Sequence, residues 1–176
     1  PQFHSSHGRE NEEYGGKRIM SGIAFNESLI LEFDKPMTDR EVLSAMTDYL
    51  CEKGIVKDTY KQAILEREQS FPTGLKTGGI NVAIPHADIC HVNEAAICVA
   101  VLKTPAPFRA MDEPDNDVPV SLVIMLALTE AHGHIEMLQR IVKLIQNQED
   151  MKHIVEAGQP DTIHKIIKQY LLEDEN

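Results

Sequence analysis

Two apolar runs, residues 95–102 and 118–128, interrupt a chain whose other hydrophobic positions recur at helical spacing. Short runs rich in branched residues read as strands buried on both faces. Neither reaches the ~18 residues a membrane-spanning helix needs, and Pro119 and Ser121 interrupt the second. Such strands require cover on both sides, and the flanking segments are built to supply it. Thr38-Asp39-Arg40-Glu41 has the form of a capping box, after which Val42, Met46, Tyr49 and Leu50 recur at helical intervals until Gly54. A second helix is predicted from Asp58, a capping residue, to about Glu68, with Tyr60, Ala63, Ile64 and Arg67 on one side.

Turn residues from Ser70 through Gly78-Gly79 lead into a short apolar strand, Val82-Ala83-Ile84, stopped by Pro85. A weakly alternating stretch over residues 21–33 predicts a short strand or an ordered arm, and residues 104–117 read as a Pro-rich, acidic excursion. Farther on, a helix over about 134–146 is expected to cover the sheet with Ile135, Leu138, Val142 and Ile145. A final helix would do so with Ile163, Ile166, Ile167, Tyr170 and Leu171. The pattern as a whole predicts a single-domain α/β sandwich, a central mixed β-sheet flanked by helices. A chain of 176 residues has one sizeable core, since such chains bury roughly 70% of their unfolded surface.

Charge and composition narrow the function. A formal charge of -11 argues against phosphate-backbone binding, which relies on clustered Lys and Arg that the chain does not show, so no nucleic-acid partner is expected. Cys51, Cys90 and Cys98 are odd in number and show no paired spacing, which favours a reducing, cytoplasmic setting over a disulfide framework. Residues 1–19 are polar and lack an apolar core, so they read as a native leader or a vector-derived segment rather than a secretory signal, with the domain spanning residues 20–176.

Among the histidines, His153 and His164 fall on polar sides of helical patterns and are expected to be solvated. His86 follows a buried strand and a proline, where a scaffold can hold a side chain open to a partner. Alone it would be an ordinary structural histidine; its neighbours change that. Arg67 offers a planar fork of donors, Thr73 a hydroxyl, and Gly74 a close backbone approach. An in-line nucleophile ringed by such donors is what phosphoryl transfer asks of a protein, and neutral imidazole is a competent nucleophile near pH 7. Arg67 equally fits the role of a cation at a helix C-terminus. His134 opens a helix after the second buried strand and would approach His86 if the two strands are neighbours.

The run Glu66-Arg67-Glu68-Gln69-Ser70-Phe71-Pro72-Thr73-Gly74-Leu75 followed by Val82-Ala83-Ile84-Pro85-His86 resembles the signature of fructose/mannitol-type IIA domains of the phosphoenolpyruvate-dependent sugar phosphotransferase system. His134-Ile135-Glu136-Met137-Leu138 resembles that family's second active-site histidine and its helix. The resemblance covers residues 43 to about 172. Phe71-Pro72-Thr73-Gly74, the stretch from Asp115 to Ile124, and Ala87-Asp88 after His86 look closest to the galactitol-specific branch.

The resemblance implies a phosphotransferase in which His86 takes a phosphoryl group from the phosphocarrier HPr on the ring nitrogen remote from the backbone. A cysteine of a IIB component then accepts it. Arg67 would balance the phosphoryl charge, Thr73 would orient the imidazole or donate to an oxygen, and His134 would supply a second ring. The membrane IIC component would be an indirect partner. No metal or organic cofactor and no direct membrane insertion are implied.

Two other readings stand beside this one. A regulatory IIA-like module would keep the fold and control a transcription factor or transporter. A metal-binding protein would use His86, Cys90, His91, His132 or His134, although His86-x-x-x-Cys90-His91 matches no common zinc spacing and H-E-x-x-H is absent.

Overall fold

The structure is a computed structural model and describes residues 22–173. The expected leader, residues 1–19, lies outside the described residues.

A five-stranded sheet in the order β1-β4-β5-β3-β2 forms the centre. Its strands are β1 (Ile30–Phe33), β2 (Gly74–Leu75), β3 (Asn81–Ala83), β4 (Ala96–Arg109) and β5 (Asp117–Ala127). β1 pairs parallel to β4, β4 antiparallel to β5, β5 parallel to β3 and β3 antiparallel to β2, so the sheet is mixed as expected. Among the described residues five α-helices complete the fold: α1 (Asp39–Glu52), α2 (Tyr60–Ser70), α3 (Gly133–Gln146), α4 (Gln148–Ala157) and α5 (Pro160–Leu171). α1 packs on α2, while α3, α4 and α5 pack on one another, and α1 and α4 both reach β4. The unbroken burial from Ala96 to Leu102 and from Leu122 to Ala127 is the mark of strands covered on both faces.

Local chemistry sets several boundaries. The capping box at α1 forms in full: Glu41 N–H donates to Thr38 Oγ1 at 3.1 Å and Thr38 N–H donates to Glu41 Oε1 at 2.9 Å. α2 begins at Tyr60 instead, with Thr59 in the cap position and no side-chain cap bond, so Asp58 does not serve as the cap.

Three other expectations need correction. The excursion predicted over 104–117 is in part strand, because β4 continues to Arg109 through a register shift between Val101 and Ala106. Pro105 and Pro107 are tolerated there because β1 pairs only with Val99–Leu102, leaving that side of β4 an edge. The turn expected across residues 70–79 contains β2. Residues 148–157, to which the pattern assigns no element, form α4; Asn147 accepts from Asp150 N–H to start it, and Gly158, with φ 63°, ends it.

The face expected of α3 is corrected in part: Ile145 is half-buried against the core as expected, but its three companions are not. Met137, Ile141 and Leu144 are buried, whereas Ile135, Leu138 and Val142 are exposed, Ile135 to 66%. α3 is therefore apolar on two sides, and only one of them belongs to the core.

Candidate functional site

Because β3 and β5 are parallel neighbours, the segments leaving their C-terminal ends emerge side by side, the usual place for a site in an open α/β sheet. Pairing continues beyond β3: Leu126 N–H donates to the Pro85 carbonyl at 3.0 Å, and His86 forms a parallel bridge with Leu126. His86 is thus held by the sheet itself. The chain leaving β5 turns into α3, whose first turn carries His134. The two imidazoles meet with ring centroids 4.9 Å apart and planes inclined by 34°.

His86 is half-buried, and its Nδ1 lies 2.9 Å from the Ile84 carbonyl oxygen. A carbonyl can only accept, so Nδ1 carries the proton and Nε2 keeps its lone pair. Burial lowers the pKa of the ring, and the Arg67 guanidinium lowers it further against the pull of the Ile84 carbonyl. The ring is consequently neutral and nucleophilic near pH 7.

His134 is pushed down to about 4, first by burial and then by His86 and Arg67, against the Ala131 carbonyl and Asp88. Its Nε2 is buried without a hydrogen-bond partner among the described residues. An unpaired buried nitrogen is costly, which makes it a natural donor or acceptor for a group arriving beside His86.

A cleft of about 380 Å³ opens over these rings, lined by Arg67, His86 and His134 together with the apolar Met111, Ile135 and Leu138. Arg67 extends from the last turn of α2 and lies over the Phe71 ring, 5.6 Å from its centroid. Its position at the helix C-terminus and its place in the cleft fit both roles that the sequence suggested. The exposed side of α3 supplies the apolar wall, which explains why that helix carries a second hydrophobic face.

Thr73 does not enter the cleft. It is buried, its hydroxyl donates to the Glu68 carboxylate at 3.0 and 3.1 Å, and its oxygen accepts from Ile84 N–H at 3.1 Å. Of the two roles considered for Thr73, donation to a bound oxygen is therefore corrected: the hydroxyl proton is already committed. Glu68 was overlooked, although Tyr60, Ile64 and Glu68 recur four apart and are the buried positions of α2. That spacing places a carboxylate on the core-facing side.

The other described histidines lie elsewhere. His91 Nδ1 is 2.8 Å from the Thr59 hydroxyl, His132 Nε2 is 3.5 Å from Glu130, and His153 is near Asp150. His164, expected to be solvated, instead stacks on Phe25 with centroids 5.2 Å apart. Among the described residues no three His, Cys, Asp or Glu side chains converge as a metal site would require.

A half-buried neutral imidazole, a second neutral imidazole and a guanidinium in one open cleft are suited to a class of proteins that hold a phosphoryl group on histidine. Comparison with known proteins gives the family. Residues 24–170 match the family described as "Phosphoenolpyruvate-dependent sugar phosphotransferase system, EIIA 2". The galactitol-specific EIIA component of Escherichia coli (strain K12) is 30% identical over 159 residues, covering 89% of this chain and 96% of that protein. The fructose-specific EIIABC component of Bacillus subtilis (strain 168) is 35% identical over 133 residues, 73% of this chain but 20% of that larger protein.

Among solved structures, the IIA mannitol domain of Escherichia coli in complex with phosphorylated IIB superposes with a TM-score of 0.67 at 19% identity, over 84% of this chain and 99% of that one. The chain belongs to the EIIA 2 family of the phosphoenolpyruvate-dependent sugar phosphotransferase system. Members of this family are phosphotransferases that carry phosphate on histidine between proteins. Among the described residues no helix is long and apolar enough to cross a membrane.

Proposed function

We propose that His86 Nε2 is the phosphoryl acceptor, loaded by the phosphocarrier HPr and emptied by a cysteine of a IIB component, in the cytoplasmic uptake chain for galactitol or a related polyol. The observation that carries this reading is the His86 Nδ1–H bond to the Ile84 carbonyl, which leaves Nε2 as the ring nitrogen with a free lone pair. In the loading step that lone pair attacks phosphorus; the new N–P bond forms as the donor's own bond to phosphorus breaks. In the unloading step the cysteine thiolate attacks, an S–P bond forms, and the N–P electrons return to Nε2.

Arg67 balances the charge on the transferring oxygens, and His134 donates to them from its partnerless Nε2 when that nitrogen carries the ring proton. Thr73 acts on the imidazole only through the main chain. The apolar side chains around the cleft, Met111, Ile135 and Leu138, suit a surface that seats successive protein partners and excludes water during transfer. Galactitol is favoured by the 30% identical relative.

The test is incubation with enzyme I, HPr and labelled phosphoenolpyruvate, followed by addition of IIB. Label is expected on wild type, absent from His86→Ala, and chased onto IIB. Undiminished label on His86→Ala would reject the assignment. Efficient labelling with no chase onto the galactitol IIB would favour the regulatory role over transport.

A further inference from the structure

The atoms that fix the tautomer of His86 do not end at Ile84. Ile84 follows directly on β3 and is pinned at both ends of its backbone. Its carbonyl accepts from His86 Nδ1–H at 2.9 Å, and its N–H donates to Thr73 Oγ1 at 3.1 Å. These two groups belong to consecutive peptide units, so the link is positional rather than a conjugated relay.

Thr73 is fixed in turn by one carboxylate. Glu68 Oε2 accepts from Thr73 N–H at 2.8 Å, and both carboxylate oxygens lie 3.0–3.1 Å from the Thr73 hydroxyl. A hydroxyl can turn either its proton or a lone pair toward a neighbour, and an acceptor-only carboxylate decides which. With the proton drawn to Glu68, a lone pair is left for Ile84 N–H.

The geometry points to Glu68 as a positioning residue for His86: through Thr73 and the Ile84 main chain it holds the carbonyl that keeps the ring proton on Nδ1 and the lone pair on Nε2. This rests on the reading of His86 as the phosphoryl acceptor.

Three observations make the chain more than a packing contact. Glu68 is 6% exposed and Thr73 3%, so water does not substitute for either partner. Burial raises the Glu68 pKa while the two bonds from Thr73 lower it, so those bonds favour the ionised, acceptor-only form of the group. The path from Glu68 to His86 is continuous in hydrogen bonds and crosses no flexible side chain, because every link beyond Thr73 is backbone until the imidazole itself.

The experiment reads the tautomer of His86 directly, from the ring nitrogen couplings of the uniformly ¹⁵N-labelled full chain at about pH 8, where the imidazole is neutral. It needs no phosphoryl donor. Wild type is expected in the Nδ1–H form. Thr73→Val and Glu68→Met, both near-isosteric, are expected to move the ratio toward Nε2–H by about fivefold or more, the effect of losing one modest hydrogen bond. Thr73→Ser and Glu68→Gln, which restore a hydroxyl and an acceptor, are expected to return it toward wild type.

A native backbone spectrum with an unchanged His86 ratio in Thr73→Val or Glu68→Met would overturn the proposal and leave the pair a packing device. Failure of the two conservative variants to restore the ratio would also overturn it. If Glu68→Met does not fold, Glu68→Asp, whose carboxylate is one methylene short of Thr73, is read in the same way. The His86→Ala labelling test stands apart from this one, so the carrier role and the positioning role can fail separately.

Discussion

Replacing Glu68 with Gln removes a proton-binding group from the interior while keeping its shape and an acceptor oxygen for Thr73 N–H. Burial and Asp39 push the Glu68 carboxyl from 4.5 up to about 7, against the Thr73 bonds and Arg109 that favour its charged form. The native chain therefore keeps a proton that the unfolded chain releases between about pH 4.5 and 7.

Because the folded-state pKa is the higher one, this group's contribution to stability is complete below about pH 4.5, declines as pH rises, and levels off above about pH 7. At about 1.4 kcal/mol per pH unit, the decline amounts to about 3 kcal/mol, a sizeable share of the 5–15 kcal/mol typical of a domain. Other groups titrate too, so the quantity to measure is the stability of wild type minus that of Glu68→Gln, from urea unfolding at half-unit intervals between about pH 4.5 and 8.5. The difference should fall steadily toward pH 7 and then run flat. Parallel profiles, with the difference moving by less than about 1 kcal/mol, would show that Glu68 is ionised without penalty in the folded protein and that the description of its surroundings is wrong.

Arg67→Ala should leave thermal stability nearly unchanged and slow phosphoryl acceptance by about 10²- to 10³-fold, the loss of about 2.7–4 kcal/mol of charge stabilisation; equal rates would make Arg67 a helix-terminal charge only. Tyr60→Phe removes the buried hydroxyl that donates to the Leu126 carbonyl at 2.9 Å, and should cost about 1–3 kcal/mol in urea unfolding; no change would mean that the carbonyl finds another partner. Gly74→Ala places a Cβ 2.6 Å from the Arg109 carbonyl oxygen, a backbone atom with little room to yield. It should destabilise by about 1–3 kcal/mol, and an unaltered midpoint would show that β2 can shift without penalty.

Much of this site is legible in the chain because it is built from local signals. Pro85 ends a strand, the capping residues of α1 announce themselves, and Arg67 falls at the close of a helix. What brings His86 and His134 together is not local. It depends on β3 lying parallel beside β5, a pairing between segments separated by all of β4, and no periodicity encodes which strand will be its neighbour. α3 shows a second limit. Ile135, Leu138 and Val142 satisfy the helical period as well as Met137, Ile141 and Leu144 do, and hydrophobicity alone cannot tell a face buried in the core from one exposed beside a cleft. The β4 extension was hidden for a related reason: proline argues against a strand only where both neighbours demand ladder bonds, and that stretch of β4 has one neighbour.

The same facts explain why a phosphoryl carrier suits this architecture. A carrier must present one nitrogen to two different partners and keep its position with either bound, so the acceptor cannot ride on a loop held only by its own turn. Here the ladder bond from Leu126 to Pro85 extends β5 pairing up to His86, and Tyr60 anchors the opposite group of Leu126 from α2. α2 also delivers Arg67 to the cleft and Glu68 to the hydrogen bonds behind it, so adjacent residues of one helix serve the front and the back of the same ring. A shift of α2 by even a fraction of a turn would displace the cation, the carboxylate and the Leu126 anchor together. Rigid seating of α2 against the end of β5 is therefore the physical condition on which the chemistry proposed for His86 depends.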